Sequence, residues 1–418
     1  MKFSIFTPTH DTRFLAETYA SLKHQSYADW EWVIALNNGA TLPKGIKGPR
    51  VRALRAPGDL TGVGALKRFA CGECKGEYLV ELDHDDLLAS RALEKIAATE
   101  ADFIYSDAAN FRSNGENELF GTAFGWEHYQ AEVDGRTLAV NRSFEPDASS
   151  LREIFYAPNH VRVWSRELYE KVGGHDPTLP VCDDFDLLLR SYMAGARFQH
   201  IPECLYLYRL RDDGNNTWVK HNAAIQHKQA ELSQRYTHPL VHEWCRRRDL
   251  KKLDLGGGTG CPEGFIPLDL ATGCDLRQPW TFADSSIGCI RAYDFLEHVP
   301  HCRDGSCTHQ PPFCSVGLMN EIHRVLVPGG WLLSATPSTD GRGAFQDPTH
   351  CSFWNPNSFW YYTRRLQQAY VPGITARFQA ARLWQEYPSE FHQQHHLLYV
   401  FADLVALKGQ RQPGLVEI

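Results

Sequence analysis

Carboxylates, glycines and histidines fall at four places in this 418-residue chain where their spacing could support chemistry. The first is Asp83-His84-Asp85-Asp86, directly after the apolar run Tyr78 to Leu82. Carboxylates crowded at a strand end repel one another unless a cation lies between them, which points to a divalent metal. The same residues also suit a solvated turn in which Asp86 caps a helix from Leu87 onward. Both readings stand on these residues alone. A second cluster, Cys182-Asp183-Asp184-Phe185-Asp186, opens a helical pattern with Phe185, Leu188 and Leu189 inward, and acids there favour the positive end of the helix dipole. The third place is Gly256-Gly257-Gly258-Thr259-Gly260 after the strand-like Leu250 to Leu255, where glycines let the backbone approach a ligand closely. The fourth is Asp347-Pro348-Thr349-His350, which reads equally as a packed loop pair or as a histidine base with Asp347 orienting it or binding a metal.

The elements that must position these residues follow from the apolar pattern. Strands are expected at Phe3 to Thr9, Trp30 to Leu36, Val51 to Leu54 and Tyr78 to Leu82, with helices over Phe14 to His24 and Thr61 to Cys74. This β-α-β-β-α-β alternation predicts a parallel, doubly wound sheet. Three loops (Pro8-Thr9-His10, Asn37-Asn38-Gly39 and Asp83-His84-Asp85) would gather at its carboxyl edge, as a nucleotide pocket requires. The length predicts two domains. A helix over Val219 to Tyr236, broken by His238-Pro239, leads to a boundary that divides the chain into 1–240 and 241–418. A net charge of −7 argues against nucleic acid as a partner. No apolar run reaches the ~20 residues of a membrane span. Twelve scattered cysteines fit reduced thiols, so a cytoplasmic setting is expected. His301, Cys302, Cys307, His309 and Cys314 crowd one segment, but their spacing matches no common zinc pattern and incidental thiols are the simpler reading.

Residues 1 to about 235 resemble an inverting family 2 glycosyltransferase of the GT-A fold. The resemblance rests on Phe3-Ser4-Ile5-Phe6-Thr7-Pro8-Thr9, Ser21-Leu22-Lys23-His24-Gln25-Ser26-Tyr27, Trp30-Glu31-Trp32-Val33-Ile34, Gly64-Ala65-Leu66-Lys67-Arg68, Leu82-Asp83-His84-Asp85-Asp86 and Val172-Gly173-Gly174-His175-Asp176, in that order. It implies a nucleotide-sugar donor held by Pro8, Thr9, Asn38, Lys67 and Asp83, and Mn²⁺ or Mg²⁺ held by Asp85 with Asp83. It also implies that Asp184, paired with Asp183, takes the proton from an acceptor hydroxyl. Three departures stand out: Asn38 and Asp183 where the family usually has Asp and Glu, and Arg211 where members often carry a metal-binding histidine, for which His221 is the substitute. The aromatic run around Phe120, Phe124, Trp126, His128 and Tyr129 reads as core or as the wall of an acceptor groove.

Beyond residue 250, Leu253-Asp254-Leu255, the glycine run, Asp269 after Phe265 to Leu268, Asp294-Phe295-Leu296-Glu297-His298 and Val327-Pro328-Gly329-Gly330-Trp331 resemble a compact, Rossmann-like class I S-adenosylmethionine-dependent methyltransferase. The resemblance assigns Asp254, Gly256, Gly258 and Gly260 to the methionine end of that cofactor, Asp269 to its ribose, and Asp275 with Leu276 to the adenine. Asp347 and His350 would serve the methyl acceptor. The combined expectation is a bifunctional α/β enzyme that transfers a sugar to a glycan or lipid-linked acceptor and O-methylates a sugar hydroxyl. It would meet a membrane only peripherally, through its acceptor. The alternative is a degenerate transferase domain that serves as a carbohydrate-binding module for an active methyltransferase.

Overall fold

Every residue from Trp30 to Leu36 is buried, and so are Phe3, Ile5, Phe6, Leu79 and Val80. Such continuous apolar strands need cover on both faces, which is the condition of a sheet sandwiched by helices. The computed structural model describes residues 3–60, 62–154, 157–214, 216–302, 314–409 and 412–415. The chain divides into two compact units, Met1–Glu243 and Trp244–Ile418.

The first unit is built on β1 (Phe3–Thr9), β2 (Trp30–Leu36), β3 (Val51–Arg55), β4 (Tyr78–Glu81), β5 (Leu87–Leu88), β6 (Phe103–Phe111), β7 (Asn117–Glu118), β8 (Glu127–Val133), β9 (Arg136–Arg142), β10 (Arg162–Ser165) and β11 (Phe198–Arg209). The sheet order is β3-β2-β1-β4-β10-β6-β11-β5, with β7 and β9 paired to β6 and β8 to β9. Strands β1 to β4 are parallel to one another, as expected. The sheet as a whole is mixed, which corrects the expectation of a parallel one. β10 enters antiparallel between β4 and β6, and β5 pairs antiparallel with β11. β10 is only four residues long, too short for its apolar period to stand out in the sequence. β11 runs parallel to β6 with register irregularities between Ile201, Cys204 and Tyr206.

Helices Val63–Glu73 and Asp183–Met193 carry Lys67 and the Asp183-Asp184 pair. They meet at Gly64, where an added Cβ would lie 2.3 Å from the Asp176 carbonyl oxygen and 3.0 Å from the Asp183 Cβ. The helix expected to end before Pro239 instead runs through it, from Asn222 to Arg247. Leu232, Leu240, Val241, Trp244 and Cys245 are buried at helical spacing, and this burial offsets the one hydrogen bond that proline forfeits.

The second unit contains β12 (Lys251–Leu255), β13 (Ile266–Leu268), β14 (Ile287–Tyr293), β15 (Leu326–Pro337), β16 (Phe378–Glu386) and β17 (Tyr399–Ala406) in the order β13-β12-β14-β15-β17-β16. The first four are parallel; β17 runs antiparallel between β15 and β16. Helix Ser315–Val325 packs Leu318, Met319, Ile322 and Val325 into this unit's core. Cys307 and His309 of the cysteine–histidine segment lie outside the described residues.

Gly64→Ala should lower stability by about 1–3 kcal/mol, the usual cost of forcing atoms into a packed contact. Urea unfolding checks this, and an unchanged midpoint would show that the Asp176 turn yields freely.

Candidate active site

In the first unit the carboxyl ends of β1, β2 and β4 open with the start of helix Asp183–Met193 onto one cavity of about 500 Å³. That volume suits a small-molecule ligand. Pro8, Thr9, Lys67, Asp83, Asp85, Asp183 and Asp184 all line it, so residues far apart in sequence meet at one wall. Asn38 does not line it. Its φ of 49° turns it outward, where it is exposed, and Asn37 occupies the wall instead. The Asn37 Oδ1, His84 Nε2 and Asn110 Oδ1 atoms of lining residues are buried with no hydrogen-bond partner among the described residues, polar atoms that a polar ligand would satisfy.

A buried ionic network backs this wall. Lys67 is bonded to Glu81 and lies 3.5 Å from Asp183 Oδ2. Burial opposes its charge, but Asp183 and Glu81 hold its pKa well above the usual lysine range. Arg162 bonds Asp184, donates from Nε to the Pro158 carbonyl at 3.0 Å, and lies 3.9 Å from Glu81. The neighbouring carboxylates are therefore driven apart. Burial, against the pull of Lys67 and with the repulsion of Asp184, pushes Asp183 up to about 7. Burial also works against the charge on Asp184, yet Arg162 and then Lys67 hold it well below the usual carboxylate range. Asp184 keeps 27% of its side chain exposed, whereas Asp183 keeps 4%. Cys182, just before them, takes φ 60°, a left-handed conformation costly for a non-glycine residue that marks a constrained turn at the site. Asp186 turns away from the cavity wall, accepting from Arg190 Nε at 2.8 Å and Tyr236 Oη at 3.1 Å, so it is structural.

The Asp83–Asp86 turn also separates into distinct parts. Burial, reinforced by the Asp83 charge, pushes Asp85 up to about 6. Arg211 Nη1 lies 3.7 Å from Asp85, while its Nη2 donates to Asp11 and Asp213. Asp86 caps no helix, because Leu87–Leu88 is a strand. Its carboxylate accepts from Tyr206 Oη at 2.8 Å and from the Arg209 amide at 2.7 Å, tying the turn to the end of β11. Arg68 donates to the carbonyls of Gly173 and His175, and His221 is exposed outside the cavity. Trp126 is core, packed with Phe120 and Phe144, though Phe120 also reaches the cavity.

In the second unit, β12 ends at a glycine turn with φ of 74° at Gly256 and 48° at Gly258. A Cβ at Gly257 would lie 1.8 Å from Asp254 Oδ2, and one at Gly256 2.7 Å from Phe295 Cδ2, whereas Gly260 faces open space. Asp254 is fully buried; Oδ1 accepts from Arg291 Nη1 at 2.8 Å, while Oδ2 meets no well-aligned hydrogen-bond donor among the described residues. Asp269 caps the turn Leu270–Thr272 through the Ala271 amide at 2.7 Å. Asp275 is engaged by Arg277, and Leu276 is buried in the core. Asp347 does not orient His350, as the sequence suggested: it accepts from Thr349, and His350 Nδ1 meets the Ala344 carbonyl at 3.1 Å. His350 instead groups with Glu297 and His298, ligand atoms of all three lying within 4.8 Å of one another. Leu296-Glu297-His298 is conspicuous in the sequence as a strand end, but nothing there joins it to His350.

Residues 4–173 match the family described as Glycosyl transferase family 2, and the first unit carries a domain of that family. The O-antigen biosynthesis protein RfbC of Myxococcus xanthus is 31% identical over 220 residues, which cover 49% of this chain and 15% of that protein. Glycosyltransferase GlyG of Streptococcus pneumoniae is 24% identical over 223 residues, covering 50% of this chain and 70% of that one. The chain thus spans a small part of the first relative and the greater part of the second. A solved structure of S. aureus TarS 1-349 in complex with UDP-GlcNAc aligns at 18% identity with a TM-score of 0.38, over 51% of this chain and 59% of that one.

Because the folded state favours protonated Asp183, this residue's contribution to stability is present below pH 3.8 and lost as pH rises through about 7. Asp183→Asn should therefore gain in melting temperature relative to the unmodified chain as pH rises across that window. A constant offset between the two curves would show that Asp183 is ionised throughout.

Proposed function

We propose that the first unit transfers a sugar, with inversion, from a nucleotide-sugar donor to a glycan or lipid-linked acceptor, acting in the cytosol. The observation that carries this reading is the cavity that joins the Thr9, Asn37 and Asp83–Asp85 loops to Asp184 within a family 2 domain. Thr9 and Asn37 would meet the base, and Asp83 the ribose. A divalent ion, Mn²⁺ or Mg²⁺, suits Asp85 with Asp83, because Asp85 is a carboxylate that burial, with the Asp83 charge beside it, raises to about 6. Bound there, the ion would supply Lewis-acid stabilisation to the departing diphosphate. Arg162 keeps Asp184 ionised and partly open to the cavity. Asp184 would accept the acceptor hydroxyl proton as that oxygen attacks the anomeric carbon and acidifies, while Asp183 stays behind it with Lys67.

The second unit would use S-adenosylmethionine to O-methylate a sugar hydroxyl. Support comes from a parallel sheet that ends in one antiparallel insertion and from a glycine turn whose backbone a side chain would obstruct. Asp254 Oδ2, buried and without a well-aligned donor among the described residues, suits the cofactor's amino group. Carrying both activities on one chain would raise the effective concentration of product at the second site.

Asp184→Asn should lower sugar transfer by about 10²–10⁴-fold with nucleotide binding retained. Asp85→Ala should remove cation-dependent turnover of the donor. A chain that turns over no nucleotide-sugar in either form, yet retains glycan in a binding assay, would favour the carbohydrate-binding alternative. For the second unit, Gly257→Ala should abolish S-adenosylmethionine binding in calorimetry while leaving donor binding intact. Undiminished cofactor affinity in that variant would place the cofactor elsewhere.

A further inference from the structure

Glu297 and His298 lie in the turn Leu296–His298 that follows β14, and His350 arrives from the chain beyond β15. Backbone fastens the two segments together: the Cys351 and Ser352 amides donate to the Glu297 carbonyl at 2.8 and 3.0 Å, and Ser352 Oγ donates to the Leu296 carbonyl at 2.8 Å. The three side chains are therefore held by the fold and are not brought together by chance on a mobile surface.

Each of them is also oriented from behind. Buried Glu297 accepts from Thr336 Oγ1 at 2.6 Å. The Ala344 carbonyl, 3.1 Å from His350 Nδ1, can only accept, so Nδ1 carries the proton and Nε2 the lone pair. Thr349 Oγ1 gives its proton to Asp347 at 2.6 Å, so toward His298 Nδ1, 3.2 Å away, it acts as an acceptor. His298 is thereby left with its lone pair on Nε2 as well. Two neutral imidazoles with Nε2 available, and one carboxylate, all braced by outer hydrogen bonds, match what metal-binding side chains need.

We propose that Glu297, His298 and His350 bind a divalent transition-metal ion of the zinc class, with a position left open for an oxygen ligand. Two histidines and a carboxylate form a donor set for such ions, and three protein ligands leave room for a fourth. Metal–ligand bonds of about 2.1 Å in a tetrahedral site place donors ~3.4 Å apart, and rotation of the exposed His298 side chain toward the other two closes the present separation, which is within 4.8 Å. In this arrangement His350 is a ligand, and it replaces the proton acceptor expected from the sequence. The site stands on these side chains whatever reaction the second unit performs, and it is separate from Asp85.

The test uses the full chain, stripped of metal and titrated with Co²⁺, with visible absorption and elemental analysis as readouts. Asp85→Asn serves as the background that silences the first unit's cation site. About one equivalent should bind with the absorption of low-coordinate Co²⁺, and Zn²⁺ should displace it. His298→Ala and His350→Ala should each weaken binding more than about tenfold, and Thr349→Val, which removes only the orienting hydroxyl, by about tenfold or somewhat more. His298 is exposed, so its variant should keep its fold and remain a fair test. Absence of stoichiometric Co²⁺ in the Asp85→Asn background, or binding unchanged by both histidine variants, would overturn the proposal.

Discussion

The first unit depends on two buried cations serving three buried or half-buried carboxylates. Lys67 and Arg162 stand against Glu81, Asp183 and Asp184, and each comes from a different part of the fold. Lys67 lies on the helix after β3, Glu81 ends β4, Arg162 opens β10, and the aspartates begin the helix Asp183–Met193. With one more carboxylate than cations the set cannot be fully ionised at low cost, and Asp183 is the member that yields. Removing either cation would strand a buried charge, a defect that typically costs about 3–5 kcal/mol. The network thus holds Asp184 at the cavity and fixes which of the paired aspartates carries charge there.

The second unit forms its candidate sites by other means. The turn after β12 is shaped by backbone at Gly256 and Gly257, where side chains are excluded, and by one buried acid balanced by Arg291. The contrast is one of chemistry: the first unit holds charge in low dielectric, whereas the second leaves room for close backbone approach.

Much of this was legible in the sequence, for physical reasons. β1, β2 and β4 are almost wholly buried parallel strands and read as short, mainly apolar runs, so the carboxylates after β4 could be placed at a strand end. What stayed hidden was pairing across long separations. Arg162 lies in a four-residue antiparallel strand with no motif, so its bond to Asp184 could not be anticipated. Asn37 and Asn38 are equivalent in composition, and only the positive φ at the second decides which faces the cavity. Pro239 sits inside a helix because buried neighbours outweigh a local preference, a balance that no short window displays.

The irregular register of β11 has a consequence for how this chain can vary. Beyond Tyr206 the strand must present that residue's hydroxyl and the Arg209 amide to Asp86. Inserting or deleting one residue there would turn Tyr206 to the opposite face and release the Asp83–Asp86 turn. Between Ile201 and Cys204 the pairing with β6 already accommodates surplus residues. Length changes in relatives of this chain should therefore collect before Cys204, leaving the distance from Tyr206 to Arg211 constant.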